Sequence, residues 1–151
     1  MLKRLFAPGN DSFLTSLSLF VLRVWLGANM LINHGWGKLT KFNDLASGFP
    51  DPLKVGHTTS LALVVFAEAL CSALLILGLF TRFAALVLAV NVGVAFFIVH
   101  KATLKGEHSG ELAFIYMAGY VVLFLAGAGK LSLDNKLFGA KSGAGKAKPK
   151  E

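Results

Sequence analysis

The sequence predicts an all-α membrane protein, an antiparallel bundle of four transmembrane helices with both termini cytoplasmic. Three observations carry this. The 151 residues are 55% hydrophobic and only 15% charged, with a mean hydropathy of +0.66, whereas soluble domains have roughly 25% charged residues. The apolar residues come in long blocks instead of amphipathic stripes, which points to lipid and away from a large soluble core. Four such blocks alternate with polar connections, each close to the roughly 20 residues that cross a roughly 30 Å hydrocarbon layer.

Residues 1–12 form a short basic lead, in which Pro8-Gly9-Asn10 breaks any helix and Asp11-Ser12 supplies a cap. The first span follows over about residues 13–33. It contains Arg23 and ends in Asn33-His34-Gly35-Trp36, not in a small-x-small cleavage site, so it is expected to be retained. Residues 35–57 make the longest connection, broken at Gly48-Phe49-Pro50-Asp51-Pro52. Lys38 to Ala46 suits a short helix lying in the interface.

The second span covers about residues 58–80, with Glu68 near its centre and Cys71 and Ser72 on the same face. Thr81-Arg82 then leaves room only for a tight antiparallel hairpin. In the third span, about 83–100, Ala85, Ala89 and Gly93 repeat every four residues, a small-residue face that lets another helix approach. Asn91 lies off that face and suits a helix–helix or dimer hydrogen bond. The fourth span, about 111–128, carries Tyr116 and Tyr120 one turn apart as packing residues. Residues 130–151 form a cytoplasmic basic tail, a short amphipathic piece followed by a disordered Gly/Lys/Ala-rich end.

The net charge of +7 gathers in termini and connections, where membrane proteins keep their topology signal. With four spans and both termini inside, nine basic residues fall on the cytoplasmic side and five outside. No basic helix or aromatic–basic groove speaks for nucleic acid. The single cysteine, Cys71, excludes an internal disulfide, a C-x-x-C-H haem attachment and a four-cysteine iron–sulfur site built by this chain alone. Buried in an apolar block, it is expected to behave as an inert core residue.

Charged groups inside a bilayer are costly, so Arg23 and Glu68 draw attention first. Counted from the ends of their spans, both fall near mid-depth, and an Arg23–Glu68 pair between neighbouring helices is expected. Such a pair serves equally as a structural lock or as a polar centre for a ligand or proton. A second group, His34, Lys38, His100, Glu107, His108 and Glu111, collects at the outer ends of the spans. The plain alternative is a polar rim that satisfies helix ends. Histidine and carboxylate near a membrane surface also suit proton exchange with a quinone. Haem ligation by two histidines ranks lower, and no spacing matches a metal motif.

These residues also form a family pattern. The segment LRVWLGANMLINHGWGKL with Arg23, His34, Gly35 and Lys38, then Glu68 followed by LGLFTRFAAL, then His100 and Glu111, and finally GAGKLSLDNKL, resemble in order and spacing the DoxX family of small four-helix bacterial inner-membrane proteins. The resemblance implies a multi-pass protein of the bacterial inner membrane, similar to subunits of thiosulfate:quinone oxidoreductase or linked to quinone and thiol stress. The expected function is therefore a membrane subunit of quinone-linked redox chemistry. Its ligand-binding or proton-exchange candidates are Arg23, His34, Lys38, Glu68, His100 and Glu111; catalytic residues are not assigned. Quinone is the favoured ligand and haem the weaker one. Expected partners are the lipid bilayer, a redox enzyme and a second copy of the chain, with no nucleic acid. The rival functions are a small-molecule transporter or permease and a membrane scaffold for a soluble redox enzyme.

Overall fold

The computed structural model describes residues 12–107 and 109–139; the first eleven residues of the basic lead, His108 and the end of the tail lie outside them. The described residues are helical, with no strand. α1 runs over Phe13–Thr40, α2 over Phe42–Leu45, α3 over His57–Leu77 and α4 over Thr81–Val99. α5, Glu111–Ala126, is a shorter apolar helix, and α6 spans Leu133–Phe138. α1, α3 and α4 are each long and apolar enough to cross a membrane.

Three of the helices contain a wider π-helical turn: Leu31–Gly35 in α1, Phe66–Cys71 in α3 and Ala95–Val99 at the end of α4. Such turns insert a residue into the α ladder and are frequent at functional sites. In α1 the helix does not stop at Asn33, the expected end of the first span. It passes through the π turn and continues over Trp36–Thr40.

The buried cluster includes Met30 from α1, Cys71 and Leu75 from α3, Ala85 and Leu88 from α4, and Tyr120 and Leu123 from α5. Because lipid is as apolar as these side chains, close packing and not escape from water holds such helices together. Small side chains allow it. Ala84 and Ala85 have no exposed surface, and α4 pairs most extensively with α5. Cys71 is fully buried, as expected of an inert core thiol.

One end of the bundle is locked by the chain after α5. α3 ends where Gly78 adopts a left-handed conformation (φ 69°), and Leu79 N–H donates back to the Leu74 carbonyl at 3.0 Å. The connection is thus Gly78-Leu79-Phe80; Thr81 and Arg82, expected as the connection, form the first turn of α4. Asp134 accepts from the N–H groups of Phe80 at 2.7 Å and Thr81 at 2.9 Å, capping α4 from another part of the chain. Its own N–H donates to the Gly78 carbonyl at 2.8 Å. Lys130 N–H reaches Ser16 Oγ at 3.3 Å, so the start of α1 and the segment after α5 lie at the same end.

Candidate functional site

α1 and α3 touch backbone to backbone where their π turns meet. A Cβ added to Gly35 would lie 2.6 Å from the carbonyl carbon of Glu68 and 2.9 Å from Ala69 N, a separation that real Cβ atoms do not show. Glycine is therefore required at this crossing. Less than one turn beyond it, Lys38 places Nζ 2.5 Å from Glu68 Oε2. From α4, Asn91 Nδ2 donates to Glu68 Oε1 at 3.2 Å. Both carboxylate oxygens thus have partners, and Glu68 is buried with 8% of its surface exposed. A charge held in this way avoids the full cost of burial.

The expected Arg23–Glu68 pair does not form. Arg23 is nearly fully buried at the Asp134 end. One guanidinium nitrogen donates to the carbonyls of Leu75 at 3.0 Å and Ile76 at 2.5 Å, and another donates to the Leu131 carbonyl. Leu75 and Ile76 belong to the last turn of α3, where carbonyls lack partners within the helix. The reason is register. Gly35 stands opposite Glu68, and Gly78 opposite Arg23: a Cβ at Gly78 would lie 2.6 Å from the guanidinium. Counting depth from assumed span ends missed this because α1 runs seven residues past Asn33. Arg23 is thereby a cap on α3 and a tie to the segment after α5.

The other candidates lie apart. His34, half-buried, meets the edge of Tyr116 with ring centroids 6.0 Å apart, and Tyr116 stacks on Tyr120 at 5.9 Å. His100 packs against Gly110 at the entry to α5. Glu111 is exposed in the first turn of α5, its N–H donating to Ser109 Oγ at 3.1 Å. Of the expected rim, Lys38 joins Glu68; His34 sits beside Tyr116, and His100 and Glu111 flank the α4–α5 connection. Among the described residues, no three His, Cys, Asp or Glu side chains are grouped to hold a metal ion.

Beside the Lys38–Glu68 pair is a cavity of about 600 Å³ between α3, α4 and the α2–α3 connection. Its walls are mainly hydrocarbon, from Leu63, Phe66, Val90 and Val94, with Phe49 and Leu53 as a roof. Lys38, Glu68, Asn91 and Ser60 supply the polar side chains. The π turns of α3 and α4 both border it, through Phe66, Ala67 and Glu68 and through Ala95 and Val99. A cavity of this size with few convergent polar groups has the general form of a small-molecule site.

The roof is fastened by Asp51. Its carboxylate accepts from Ser60 Oγ at 2.7 Å, Val55 N–H at 3.0 Å and Gly56 N–H at 2.8 Å. His57 Nδ1–H donates to the Phe49 carbonyl at 2.6 Å. The Ser60 hydrogen bond, reinforced by the two backbone N–H groups and nearby His57, holds the Asp51 carboxyl below its ordinary range despite the opposing effect of desolvation. The sequence marks Asp51 only as part of a breaker cluster. Asn91, expected to make a helix–helix hydrogen bond, does so, and its partner is the buried glutamate.

The model of the DoxX family matches residues 18–101, more than half of the chain. The chain belongs to the DoxX family. An uncharacterized protein of Haemophilus influenzae is 39% identical over 117 residues, covering 74% of this chain and 84% of the relative. A second uncharacterized protein of that organism is 29% identical over 136 residues, covering 85% of this chain and 90% of its own length. No solved structure gives a significant match. The DoxX match includes Arg23, His34, Gly35, Lys38, Glu68, Asn91 and His100. Family membership and the long apolar helices make this DoxX protein a membrane protein in contact with lipid.

Proposed function

We propose that this DoxX protein is a four-span protein of the bacterial inner membrane that binds a quinone, or a similarly flat apolar ligand, in the cavity beside Lys38 and Glu68. One observation carries the reading: a cavity of about 600 Å³ lined chiefly by hydrocarbon, with an ammonium, a carboxylate and an amide at one side. Hydrocarbon walls suit a quinone ring and the start of its tail. Lys38 supplies a donor for a quinone oxygen, and Glu68 supplies a group that exchanges a proton with a quinol hydroxyl. The resemblance of DoxX proteins to quinone-linked oxidoreductase subunits supports the choice of ligand. In this reading the chain is a membrane subunit that works with a redox partner, which delivers or takes the electrons.

The proposed topology makes α5 the fourth crossing. Its 16 residues rise about 24 Å at 1.5 Å per residue, and its two ends lead from the His100 connection to the segment bonded to Ser16. Four crossings return the chain to the side on which α1 begins. The excess of lysine and arginine there supports both termini in the cytoplasm.

Organic extraction of protein purified in native lipid patches tests the function. Wild type is expected to carry quinone above the level of the surrounding lipid, and Val94→Trp, which fills the cavity, is expected to lose that excess. Equal quinone in both samples rejects the assignment. Glu68-dependent flux of a solute into proteoliposomes would move the cavity to a transport role.

A further inference from the structure

α1 carries a polar feature that its neighbours lack on their outward faces. Asn33 Nδ2 donates to Asn29 Oδ1 at 2.7 Å, one turn apart along the helix. The pair sits in a stripe with Trp25, Ile32 and Trp36, which are 68%, 69% and 59% exposed. Asn33 is itself exposed and Asn29 partly so. The intrahelical bond uses one donor group and one acceptor. Asn29 Nδ2 and Asn33 Oδ1 have no other partner among the described residues.

The depth of this pair makes it costly. Gly35, two residues on, lies against the backbone of Glu68, which is the twelfth residue of the 21-residue helix α3. Asn33 is therefore level with the middle of a membrane-crossing helix, where water is scarce and an unpaired amide group is unfavourable. The outward residues of α3, α4 and α5 in their membrane-crossing parts, including Leu70, Leu86 and Val122, are hydrocarbon. Asn91 faces inward to Glu68. Lipid explains those three faces but does not explain α1.

We propose that the Trp25–Asn29–Asn33–Trp36 face of α1 is the contact between two copies of this chain. The amides are self-complementary. With a two-fold axis along the bilayer normal, the free Asn29 donor of one copy meets the free Asn33 acceptor of the other, and the same bond is made in reverse. A two-fold contact needs this reciprocity, in which one patch pairs with itself. Turning both side-chain amides end for end together reverses the intrahelical bond and still leaves one free donor and one free acceptor, so the pairing survives. Ile32 and the two tryptophans supply the apolar packing around the bonds. Interhelical asparagine bonds drive association within membranes by amounts that shift dimer affinity several-fold to tens-fold. The inference rests on the membrane placement of α1 and is independent of the ligand assigned to the cavity.

Single-molecule photobleaching of full-length protein in liposomes, over a series of protein-to-lipid ratios, tests this. Wild type is expected to pass from monomer to dimer as density rises. Asn29→Leu with Asn33→Leu is expected to weaken that equilibrium by about 10-fold or more, with an unchanged thermal midpoint as the control for folding. In a Cys71→Ala background and with an added thiol oxidant, Ile32→Cys, which leaves both asparagines in place, should form a disulfide between copies and Val122→Cys on α5 should not. Wild type that stays monomeric at every density overturns the proposal. So does a double leucine variant that dimerises as tightly as wild type, or cross-linking through Val122→Cys in place of Ile32→Cys. If the double leucine variant loses its thermal transition, the cysteine pair decides alone: the Ile32→Cys disulfide supports the contact and its absence overturns it.

Discussion

Gly35 rests against the carbonyl of Glu68, and that single contact sets the register of α1 on α3. It brings Lys38 to 2.5 Å from the glutamate and sends Arg23 to the far end of the same helix. The site and the lock at the Asp134 end follow from one crossing point. Both partners lie in π turns, whose extra residue turns the following side chains away from a straight helix's direction.

Gly35→Ala should be among the most destabilising single methyl additions in the chain. Its Cβ would meet backbone atoms of Glu68 and Ala69, which cannot rotate away. Overpacking of this kind costs about 1–3 kcal/mol and occasionally more. Gly37→Ala, with nothing within 4 Å of its added carbon, is the matched control and should be close to neutral. Thermal unfolding in one detergent compares the two, and equal midpoints would remove the crossing from the account.

A double-mutant cycle separates the pair's contribution to stability from its role in binding. Lys38→Met leaves a buried carboxylate without its cation, and one-sided loss of a buried pair costs about 3–5 kcal/mol. Glu68→Gln should cost less, because an amide still bonds to Lys38 and Asn91. Combining the changes should recover part of the Lys38→Met loss. Strict additivity of the unfolding free energies would show that the ion pair is not made.

Arg23 should behave as a cap and not as part of the ligand site. Lysine cannot reproduce a planar guanidinium that serves carbonyls of Leu75, Ile76 and Leu131 together. Arg23→Lys is expected to lower stability by about 1.5–3 kcal/mol, the scale of a hydrogen bond to a charged group, while quinone binding is retained. Loss of binding at unchanged stability would return Arg23 to the site.

The roof of the cavity should loosen in acid. The Ser60 hydrogen bond and the Val55 and Gly56 N–H groups hold the Asp51 carboxyl below the ordinary carboxylate range, so the folded state binds its proton less readily than the unfolded chain. The sign follows: its contribution to stability is fully present well above pH 4 and is lost as pH falls through the ordinary carboxylate value towards the lowered one. The difference in thermal midpoint between wild type and Asp51→Asn should be constant from pH 7 to about 5 and shrink below about 4. A difference that stays constant to pH 3 would contradict the bonding described for Asp51.

Much of the fold is legible in the sequence because long apolar blocks have few alternatives to helix. Glu68 stands out for the same reason, as a carboxylate amid hydrocarbon. Its partner does not stand out. Lys38 lies past the apparent end of the first block, at Asn33-His34-Gly35, and local polarity there resembles a helix end. Only the Gly35 crossing shows that α1 continues and brings Lys38 down beside α3. Asp134 was equally hidden: it lies more than fifty residues from Phe80 and Thr81, and no local pattern links a carboxylate to N–H groups so distant. Asn91 was visible as a polar residue in an apolar helix, but its connection to Glu68 needed the packing of α3 on α4.

Equilibrium titration with a short-tailed benzoquinone, in protein reconstituted into nanodiscs, tests the cavity most directly. Tryptophan quenching above that of empty discs reads binding in wild type, Arg23→Lys, Lys38→Met with Glu68→Gln, and Val94→Trp compared with its own unliganded baseline. Saturable binding is expected in wild type and Arg23→Lys, weaker binding in the Lys38/Glu68 double variant, and none in Val94→Trp. Unsaturable quenching of equal slope in all four would show only partition into lipid, and would contradict a quinone site beside Lys38 and Glu68.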